Sequence, residues 1–322
     1  MRMLYVKQLS QVVVQYRGGI SPVARMGRAR DSTGKSISVA QRRLLGIFAH
    51  PDDESFGAGG TLAKYARSGV EVHVCTVTDG AGGTYDPDLL KTSGATTLAE
   101  LRRRELECAC RVLGAQLWML HYRDSGMPGS PDNFHPASLF QAPMDEVVAE
   151  MVRVIRKVRP HVVITHEFSG GYNHPDHVKT SQAVYRAFQL ASDGTYCSSS
   201  QTYDVWQPAR LYHLVVPRST IRWFAVLLWL RGKDPRRFGA NSDIDLTRLG
   251  VPDRQIHVRL QLDKYLEIKQ QASACHHSQG GGTMHWPSFL GRRAMASEHF
   301  IQVLPPGARR HRDLFEGMEE VP

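Results

Sequence analysis

Residues 44–54 read Leu44-Leu45-Gly46-Ile47-Phe48-Ala49-His50-Pro51-Asp52-Asp53-Glu54, and this stretch decides the fold. It opens with a short apolar run, typical of a strand buried in a parallel sheet, and ends in an imidazole and three carboxyl groups. A second stretch repeats the arrangement, because the strand-like residues 161–166, with Val162-Val163-Ile164 at their centre, lead through a glycine-rich loop to His174-Pro175-Asp176-His177. Both stretches therefore place chemically active side chains just after a buried strand.

From residue 44 onward, strand-like and helix-like segments alternate, which is the pattern of βαβ units. Strands are predicted at 44–49, 71–78, 116–122, 161–166, 211–216 and 300–304, and helices at 57–68, 97–113, 144–158, 176–190, 221–230 and 264–277. This order predicts an α/β fold with a mainly parallel sheet and helices on both faces. Ligands of such sheets bind beyond the carboxyl ends of the strands, so we expect both histidine segments at one edge of the sheet.

The positive charge is concentrated at the start of the chain. The net charge is +9, and residues 1–43 hold nine Lys or Arg residues and one acid, so about +1 is left for the rest. A nearly neutral body argues against a nucleic-acid partner, although the basic segment itself leaves that role open. We predict that residues 1–42 form a basic, disordered extension and that residues 43–322 form one catalytic domain.

The number of cysteines and the hydropathy of the chain indicate in which cellular compartment the protein works. Five cysteines without framework spacing make a disulfide scaffold unexpected, which favours a reducing cytoplasm. The chain has no apolar run of the roughly 18–20 residues that a membrane span needs. The nearest is the segment Trp223–Leu230, flanked by arginines. It predicts a buried or pocket-lining helix, and the alternative is an interfacial segment that meets a membrane or a lipid-linked substrate.

Three side chains of the two histidine segments offer a ligand set for one zinc ion per chain. His50 and Asp53, three residues apart on a turn entering a helix, point the same way, and His177 completes the set. A catalytic zinc takes three such ligands and keeps a place for water, whose pKa it lowers toward about 7. Asp52, next to a ligand but directed elsewhere, is predicted to be the general base. Iron or cobalt would also accept these ligands.

His174 and Asp176 supply the remaining chemistry. As an imidazolium, His174 would stabilise a developing oxyanion or protonate a leaving amine. Asp176 would hold His174 in the required tautomer. Together these groups fit the addition of hydroxide to an amide carbonyl.

Each segment alone has a simpler interpretation. His-Pro-Asp-Asp is also typical of a turn or helix cap, and His-Pro-Asp-His of a polar loop. Their joint occurrence after two buried strands favours catalysis. Cys275-His276-His277 suggests a rival metal site, but its position late in a predicted helix favours a single histidine facing the cleft.

These motifs resemble the LmbE/PIG-L superfamily of zinc-dependent N-acetylglucosaminyl deacetylases over about residues 43–305. The matching sequence comprises residues 49–54, 59–63, 76–80, Arg103 with Glu105, 174–177, Lys269 with Ala272, 277–279 and 298–300. The resemblance implies a Rossmann-like fold, with zinc held by His50, Asp53 and His177, Asp52 as base, and His174 oriented by Asp176. A Gly-x-Gly-x-x-Gly motif does not follow the first strand, so a nicotinamide cofactor is disfavoured.

The resemblance also suggests residues that contact the substrate. In bacterial relatives similar to mycothiol-conjugate amidases, a loop like residues 122–129 borders the cleft. Arg123 or Asp124 would then bind sugar hydroxyls, and the alternative is an ordinary turn. Tyr172 is expected to line the acyl site, and Arg103 to contact an anionic aglycone. His277 is a further candidate.

The sequence therefore predicts a cytoplasmic zinc hydrolase that removes an acetyl group from an amino-sugar conjugate. One alternative is an amidase that cleaves a larger amide in a thiol-sugar conjugate. Another is a non-catalytic sugar-binding protein of the same fold, which would need no general base. Self-association into homo-oligomers is left open.

Overall fold

The computed structural model describes residues 14–16, 41–196, 203–239, 242, 244–282, 295–307 and 309–318. Its strands are β1 (Val14–Tyr16), β2 (Arg43–Phe48), β3 (Glu71–Thr78), β4 (Gln116–Tyr122), β5 (Val162–His166), β6 (Arg210–Val215), β7 (Val258–Gln261) and β8 (Ser297–Leu304). Its helices are α1 (Asp53–Phe56), α2 (Gly59–Arg67), α3 (Pro87–Ser93), α4 (Leu98–Leu113), α5 (Met144–Val158), α6 (Gly170–Asn173), α7 (Pro175–Leu190), α8 (Arg218–Leu230) and α9 (Leu266–Cys275).

The strands form one sheet in the order β1-β4-β3-β2-β5-β6-β8-β7. The inner strands β4, β3, β2, β5 and β6 are parallel, and β1, β8 and β7 join antiparallel at the two sides. The mainly parallel α/β sheet predicted from the sequence is confirmed. The strand order reverses between β2 and β5, and this is where open α/β sheets bind ligands.

Helices cover both faces of the sheet. Alternate residues of β2 point into two separate apolar clusters: Leu44 and Phe48 pack with α2, α4 and α9, whereas Leu45 and Ile47 pack with α5 and α7. A strand buried on both sides has to be apolar throughout, and for that reason residues 44–48 read as an uninterrupted hydrophobic run. This double burial holds the end of β2, and with it His50, in a fixed position.

The helix that faces the site is delimited by its own residues. The Thr97 side chain accepts a hydrogen bond from the Glu100 amide at the start of α4, and Gly114 ends the helix at φ 78°. Predicted and observed bounds agree here to within one residue. The helix predicted at 264–277 is shorter than expected, since α9 ends at Cys275.

Two expectations are corrected. The predicted N-terminal extension contributes β1, whose backbone pairs Val14 with Met119 of β4; residues 1–13 and 17–40 of the extension lie outside the described residues. Cys108 and Cys275 form a disulfide, contrary to the expectation of no such bridge. They are 167 residues apart in sequence, and the packing of α4 on α9 brings them together. The cysteine argument for a reducing compartment is therefore lost, and a cytoplasmic location stays a prediction.

The hydrophobic segment Trp223–Leu230 forms most of α8. Ala225 and Leu228 are buried, as expected for a buried helix, but Trp223, Val226, Trp229 and Leu230 are exposed. Among the described residues, no helix is both long and apolar enough to span a membrane.

Candidate active site

The two histidine segments meet where β2 and β5 end. These strands are parallel neighbours, with Leu44 paired to Val162. His50 follows β2 directly, whereas β5 is followed by the short turn α6 and then by α7, which begins at Pro175. The expectation that both segments lie at one edge of the sheet is confirmed, and His50, His174 and His177 are all buried there.

The three predicted metal ligands lie close together. His50 Nδ1 is 3.0 Å from His177 Nε2. Asp53 Oδ2 is 3.6 Å from His50 Nδ1, and Asp53 Oδ1 is 3.3 Å from His177 Nε2. Metal–nitrogen bonds of about 2.0–2.1 Å in tetrahedral geometry separate ligand atoms by about 3.3 Å. The distances from His177 Nε2 to His50 Nδ1 and to Asp53 Oδ1 are close to this value, whereas the other oxygen of Asp53 makes the 3.6 Å approach to His50. Two imidazoles and a carboxylate are donor types that suit zinc.

The outer nitrogen of each histidine ligand has an oxygen partner. His177 Nδ1 lies 3.1 Å from the Gly170 carbonyl oxygen, and His50 Nε2 lies 3.2 Å from Asp176 Oδ2. Such partners fix the tautomer that leaves the inner nitrogen free for a metal. Gly170 can approach His177 because it lacks a side chain: its φ is 70°, and a Cβ there would be 2.9 Å from the Cβ of His177.

His166 and His174 offer rival ligand groupings. Potential ligand atoms of His50, His174 and His177 also lie within reach of one another, as do those of Asp53, His166 and His177. His166 Nε2, however, accepts a hydrogen bond from the Ala49 amide at 2.9 Å, which occupies its lone pair. The sequence did not single out His166, although its place at the end of a predicted strand was a signal.

Asp52 has an unusual backbone and an unusual environment. Its φ of 143° is rare for a residue with a side chain, and its amide donates to Glu54 Oε2 at 3.0 Å. Burial raises the pKa of its carboxyl to about 6, although the Arg102 guanidinium opposes the rise. A carboxyl with a pKa near neutrality suits a general base.

The arginine at the site is Arg102, which the sequence analysis missed. Its Nη2 donates to Asp52 Oδ2 at 3.0 Å and to the Pro51 carbonyl at 2.8 Å, while Nη1 donates to the Gly80 carbonyl at 2.7 Å. The signal was available, because Arg102 lies four residues from both Leu98 and Leu106 on the buried face of α4.

Arg103 faces away from this network. Its side chain is exposed, and its Nε lies 3.7 Å from Glu107 Oε1 one turn along α4. Contact between Arg103 and a substrate therefore stays a prediction.

His174 caps α7 with its ring. Its Nδ1 accepts a hydrogen bond from the Asp176 amide at 3.2 Å, so the neutral ring carries its hydrogen on Nε2. Burial, with His50 and His177 nearby, lowers the pKa of His174 to about 2. This differs from the expected imidazolium: the geometry offers a neutral N–H donor.

The carboxylates of Asp176 and Asp124 lie beside the Nε2 atom of His50. Asp176 Oδ2 lies 3.2 Å from His50 Nε2 and accepts from the Ser125 amide at 2.9 Å. The backbone amide of Asp176 donates to His174 Nδ1, and orientation of His174 by the Asp176 carboxylate stays a prediction. Asp124 is buried, with Oδ1 3.5 Å from His50 Nε2.

The other predicted substrate contacts are dispersed. Arg123 pairs with Asp132, Nη2 to Oδ1, at 2.7 Å within its own loop. The ring of Tyr172 packs against those of His177 and His174, with centroids 5.1 Å and 5.9 Å apart. Tyr172 thus lies beside the predicted metal ligand His177. Substrate contacts by Tyr172, Arg123 and Asp124 stay predictions.

His276, not His277, joins the network around Asp52. His276 is buried, with Nε2 2.7 Å from Glu54 Oε1, and Glu54 in turn holds the Asp52 amide. His277 is exposed, and its Nδ1 lies 3.2 Å from the Cys275 carbonyl oxygen. A substrate contact by His277 stays a prediction.

A cavity of about 410 Å³ opens beside the metal ligands. His177, Tyr172 and Lys269 contribute polar groups to its wall, whereas Leu214 and Ile221 are among the apolar residues. This size is ordinary for a small-molecule site. It leaves room for a group larger than acetyl next to the ligand cluster.

Solved structures share this fold. The N,N'-diacetylchitobiose deacetylase from Pyrococcus horikoshii superimposes with a TM-score of 0.51 and 23% identity, covering 74% of this chain and 70% of that one. The 4-carboxy-2-hydroxymuconate hydratase GalB from Pseudomonas putida gives 0.54 and 20%, covering 84% and 100%. A deacetylase and a hydratase share the architecture, so the fold alone does not determine the reaction.

Proteins that are similar in sequence give more information about the reaction than the shared fold does. The chain is 35% identical over 285 residues to the 1D-myo-inositol 2-acetamido-2-deoxy-alpha-D-glucopyranoside deacetylase of Thermobispora bispora, covering 84% of this chain and 91% of the relative. The enzyme of the same name from Thermobifida fusca is 34% identical over 286 residues, covering 85% and 97%. The family model PIG-L, described as GlcNAc-PI de-N-acetylase, matches residues 45–188, which contain His50, Asp53 and His177. The chain therefore belongs to the PIG-L family, within the LmbE/PIG-L superfamily, and is a de-N-acetylase.

Proposed function

We propose that this deacetylase removes the acetyl group from N-acetylglucosamine joined to a small polyol such as myo-inositol, with one zinc ion held by His50, Asp53 and His177. The observation that carries the proposal is the approach of these three side chains to within 3.0–3.6 Å of one another. Two deacetylases similar in sequence are named for an inositol-linked substrate, which supports the polyol.

The metal and Asp52 have separate tasks. When bound, zinc polarises a carbonyl oxygen and lets water lose a proton near neutral pH. Asp52 accepts that proton, because its raised pKa of about 6 leaves it ionised at pH 7 yet basic enough to be protonated in the reaction. Arg102 holds the Asp52 carboxylate through Nη2 and keeps its oxygen in one position.

His174 stabilises the charge that develops on the amide oxygen. Its Nδ1 is engaged by the Asp176 amide, so Nε2–H is the donor available for an oxyanion. The leaving amine takes its proton from the Asp52 carboxyl, which was protonated in the previous step. The amino sugar and acetate are then released, and Asp52 returns to its ionised form.

Acetate release from 1D-myo-inositol 2-acetamido-2-deoxy-alpha-D-glucopyranoside by zinc-loaded protein tests the proposal. We expect Asp52→Asn to lower kcat by about 10²–10⁴-fold while the bound zinc stays at the wild-type level. Asp204→Asn, an exposed carboxylate elsewhere, is the matched control and should retain activity. Full activity of Asp52→Asn would contradict the assignment of the base, and absence of bound zinc would contradict the metal site.

A second candidate reaction is cleavage of a larger amide in a thiol-sugar conjugate. The cavity of about 410 Å³ beside His177 favours it, because an acetyl group alone does not fill that space. The same assay run on a bulky thioether-bearing amide separates the two reactions. Turnover of that amide together with no acetate release would replace the first proposal by the second.

A further inference from the structure

Helix α8 is apolar on both of its sides. Ala225 and Leu228 are buried beneath it. On the outer side Trp229 is 67% and Leu230 is 69% exposed, and Trp223 and Val226 are exposed as well. A surface helix of a globular protein normally carries polar residues on its outer face. Four large apolar side chains in contact with water therefore mark this face for a partner.

Basic residues surround these apolar side chains. Between residues 218 and 237 the exposed cations are Arg218, Arg222, Arg231, Lys233, Arg236 and Arg237, and the one acid is Asp234. Asp234 is itself paired with Arg236 at 3.1 Å. The surface, here called the α8 face, is defined as Trp223, Val226, Trp229 and Leu230 with these six cations. Asp253, which accepts from Ser219, and Asp245, which is near Arg236, lie at its border. Six cations against these three acids leave the face positive on a nearly neutral domain.

We propose that the α8 face docks on an anionic phospholipid surface. Tryptophan is enriched at the boundary between lipid and water, because its ring is apolar and its N–H still finds a partner there. Arginine beside it can reach lipid phosphates with its guanidinium group. Apolar side chains inserted at the boundary and cations at the phosphates are the two contributions by which interfacial helices bind.

The same charges argue against two other occupants. In a symmetric dimer built on the α8 face, Arg222 and its basic neighbours would lie opposite their own copies, and like charges repel. The N-terminal segment 1–42 is also basic, with eight Lys or Arg residues and one acid. An anionic partner fits this surface, and a phospholipid bilayer provides both the charge and the apolar layer.

The α8 face lies close to the active-site cavity. Pro217, directly before α8, and Thr220 and Ile221 in its first turns line the cavity that reaches His177. A docked molecule would therefore hold the cavity near the membrane. The docking itself does not depend on the proposed reaction, so binding can be tested without an activity assay.

Co-sedimentation of the full chain with vesicles tests the proposal. We expect binding to vesicles that contain phosphatidylglycerol and much weaker binding to phosphatidylcholine alone. Trp223→Ser combined with Trp229→Ser should lower the partition coefficient by at least about tenfold. Arg222→Glu should lower it by at least about fivefold for the anionic vesicles.

Matched controls lie elsewhere on the surface. Val205 is 47% exposed against 56% for Val226, so Val205→Ser controls for Val226→Ser, and Arg186→Glu on α7 controls for Arg222→Glu. The controls should bind as the unmodified protein does. Failure of the full chain to sediment with anionic vesicles would overturn the proposal, as would equal losses in variants and controls. Light scattering that shows a dimer dissociated by Val226→Ser, without vesicle binding, would assign the face to a second copy.

Discussion

His276 and Glu54 form an ion pair inside the protein, with Nε2 2.7 Å from Oε1 and both side chains fully buried. They are 222 residues apart in the chain. Glu54 also accepts hydrogen bonds from the Asp52 amide and the Ser55 hydroxyl. The pair therefore connects a residue just beyond α9 to the backbone that holds the proposed base.

Loss of His276 should destabilise the fold. His276→Ala leaves the Glu54 carboxylate buried without its partner, which costs about 3 kcal/mol. Urea denaturation measures this change in the free energy of unfolding. His277→Ala, the adjacent exposed histidine, should change it by less than about 0.5 kcal/mol. Equal changes in the unfolding free energy of the two variants would show that the His276–Glu54 ion pair does not stabilise the fold.

The contribution of His276 should depend on pH. Burial opposes protonation of His276, but Glu54 raises its pKa above 6.5. A raised pKa in the folded state gives stability that is fully present below pH 6.5 and is lost as the pH rises through the folded-state value. The difference in unfolding free energy between the unmodified protein and His276→Gln should therefore shrink from acid to alkaline pH. A difference in unfolding free energy that grows with pH would contradict the prediction.

Arg102 should be needed to position the proposed base, and Arg103 should not contribute to that positioning. Arg102→Met removes the donor to the Asp52 carboxylate and to two backbone carbonyls, so we expect kcat to fall by about 100-fold through misplacement of the base. Arg103→Met, on the exposed side of the same helix, is the control. Steady-state kinetics with measured metal content distinguishes a misplaced base from a lost metal. A larger loss in Arg103→Met would restore the original substrate-contact prediction.

Gly80 should tolerate alanine less well than Gly94. Both residues have positive φ, 68° and 67°, so alanine costs about 1–2 kcal/mol at either position. At Gly94 the added Cβ meets nothing within 4 Å, whereas at Gly80 it would lie 2.7 Å from the Arg102 guanidinium. Gly80→Ala should therefore lose both stability and activity, and Gly94→Ala stability alone. Urea denaturation and acetate release on the same samples compare them.

Glu298 should be essential for stability. Its two carboxylate oxygens accept the amides of Gly60 and Thr61 at 2.9 Å and 2.8 Å, and Lys269 lies 2.7 Å from one of them. Glu298→Gln leaves the Lys269 ammonium buried without its counter-charge, which costs about 3 kcal/mol. Asp88→Asn, which breaks an exposed pair with Lys91, should cost at most about 1 kcal/mol. Thermal denaturation of both variants tests the difference.

The sheet and the ligand cluster could be predicted because they depend on local patterns. The apolar run before His50 and the strand-like residues 161–166 predicted two buried strands of one parallel sheet. The carboxyl ends of parallel strands lie at one edge, so both histidine segments were expected there. Asp53 and His177 converge with His50 for that reason. The short antiparallel strand β7 was missed, since Val258–Gln261 alternates over only four residues.

The residues around Asp52 were harder to predict than the metal ligands. Which side chain points toward Asp52 depends on the rotation of each residue about its helix axis and on where the helix ends. Arg102 and Arg103 are neighbours in sequence, and the turn of α4 directs only Arg102 toward Asp52. The helix expected through His277 stops at Cys275, so His276 points inward and His277 outward. The bridge between Cys108 and Cys275 joins two helices 167 residues apart, a distance over which sequence patterns give no pairing.

The contact of Glu298 with the start of α2 has a consequence for the order of synthesis. Glu298 comes 238 residues after Gly60, near the end of the chain. A nascent chain carries all three proposed metal ligands on the ribosome long before the carboxylate that completes the start of α2. Catalytic competence is therefore expected only after residue 298 has been translated, so a fragment that stops between residues 177 and 298 should be inactive although it carries all three proposed ligands.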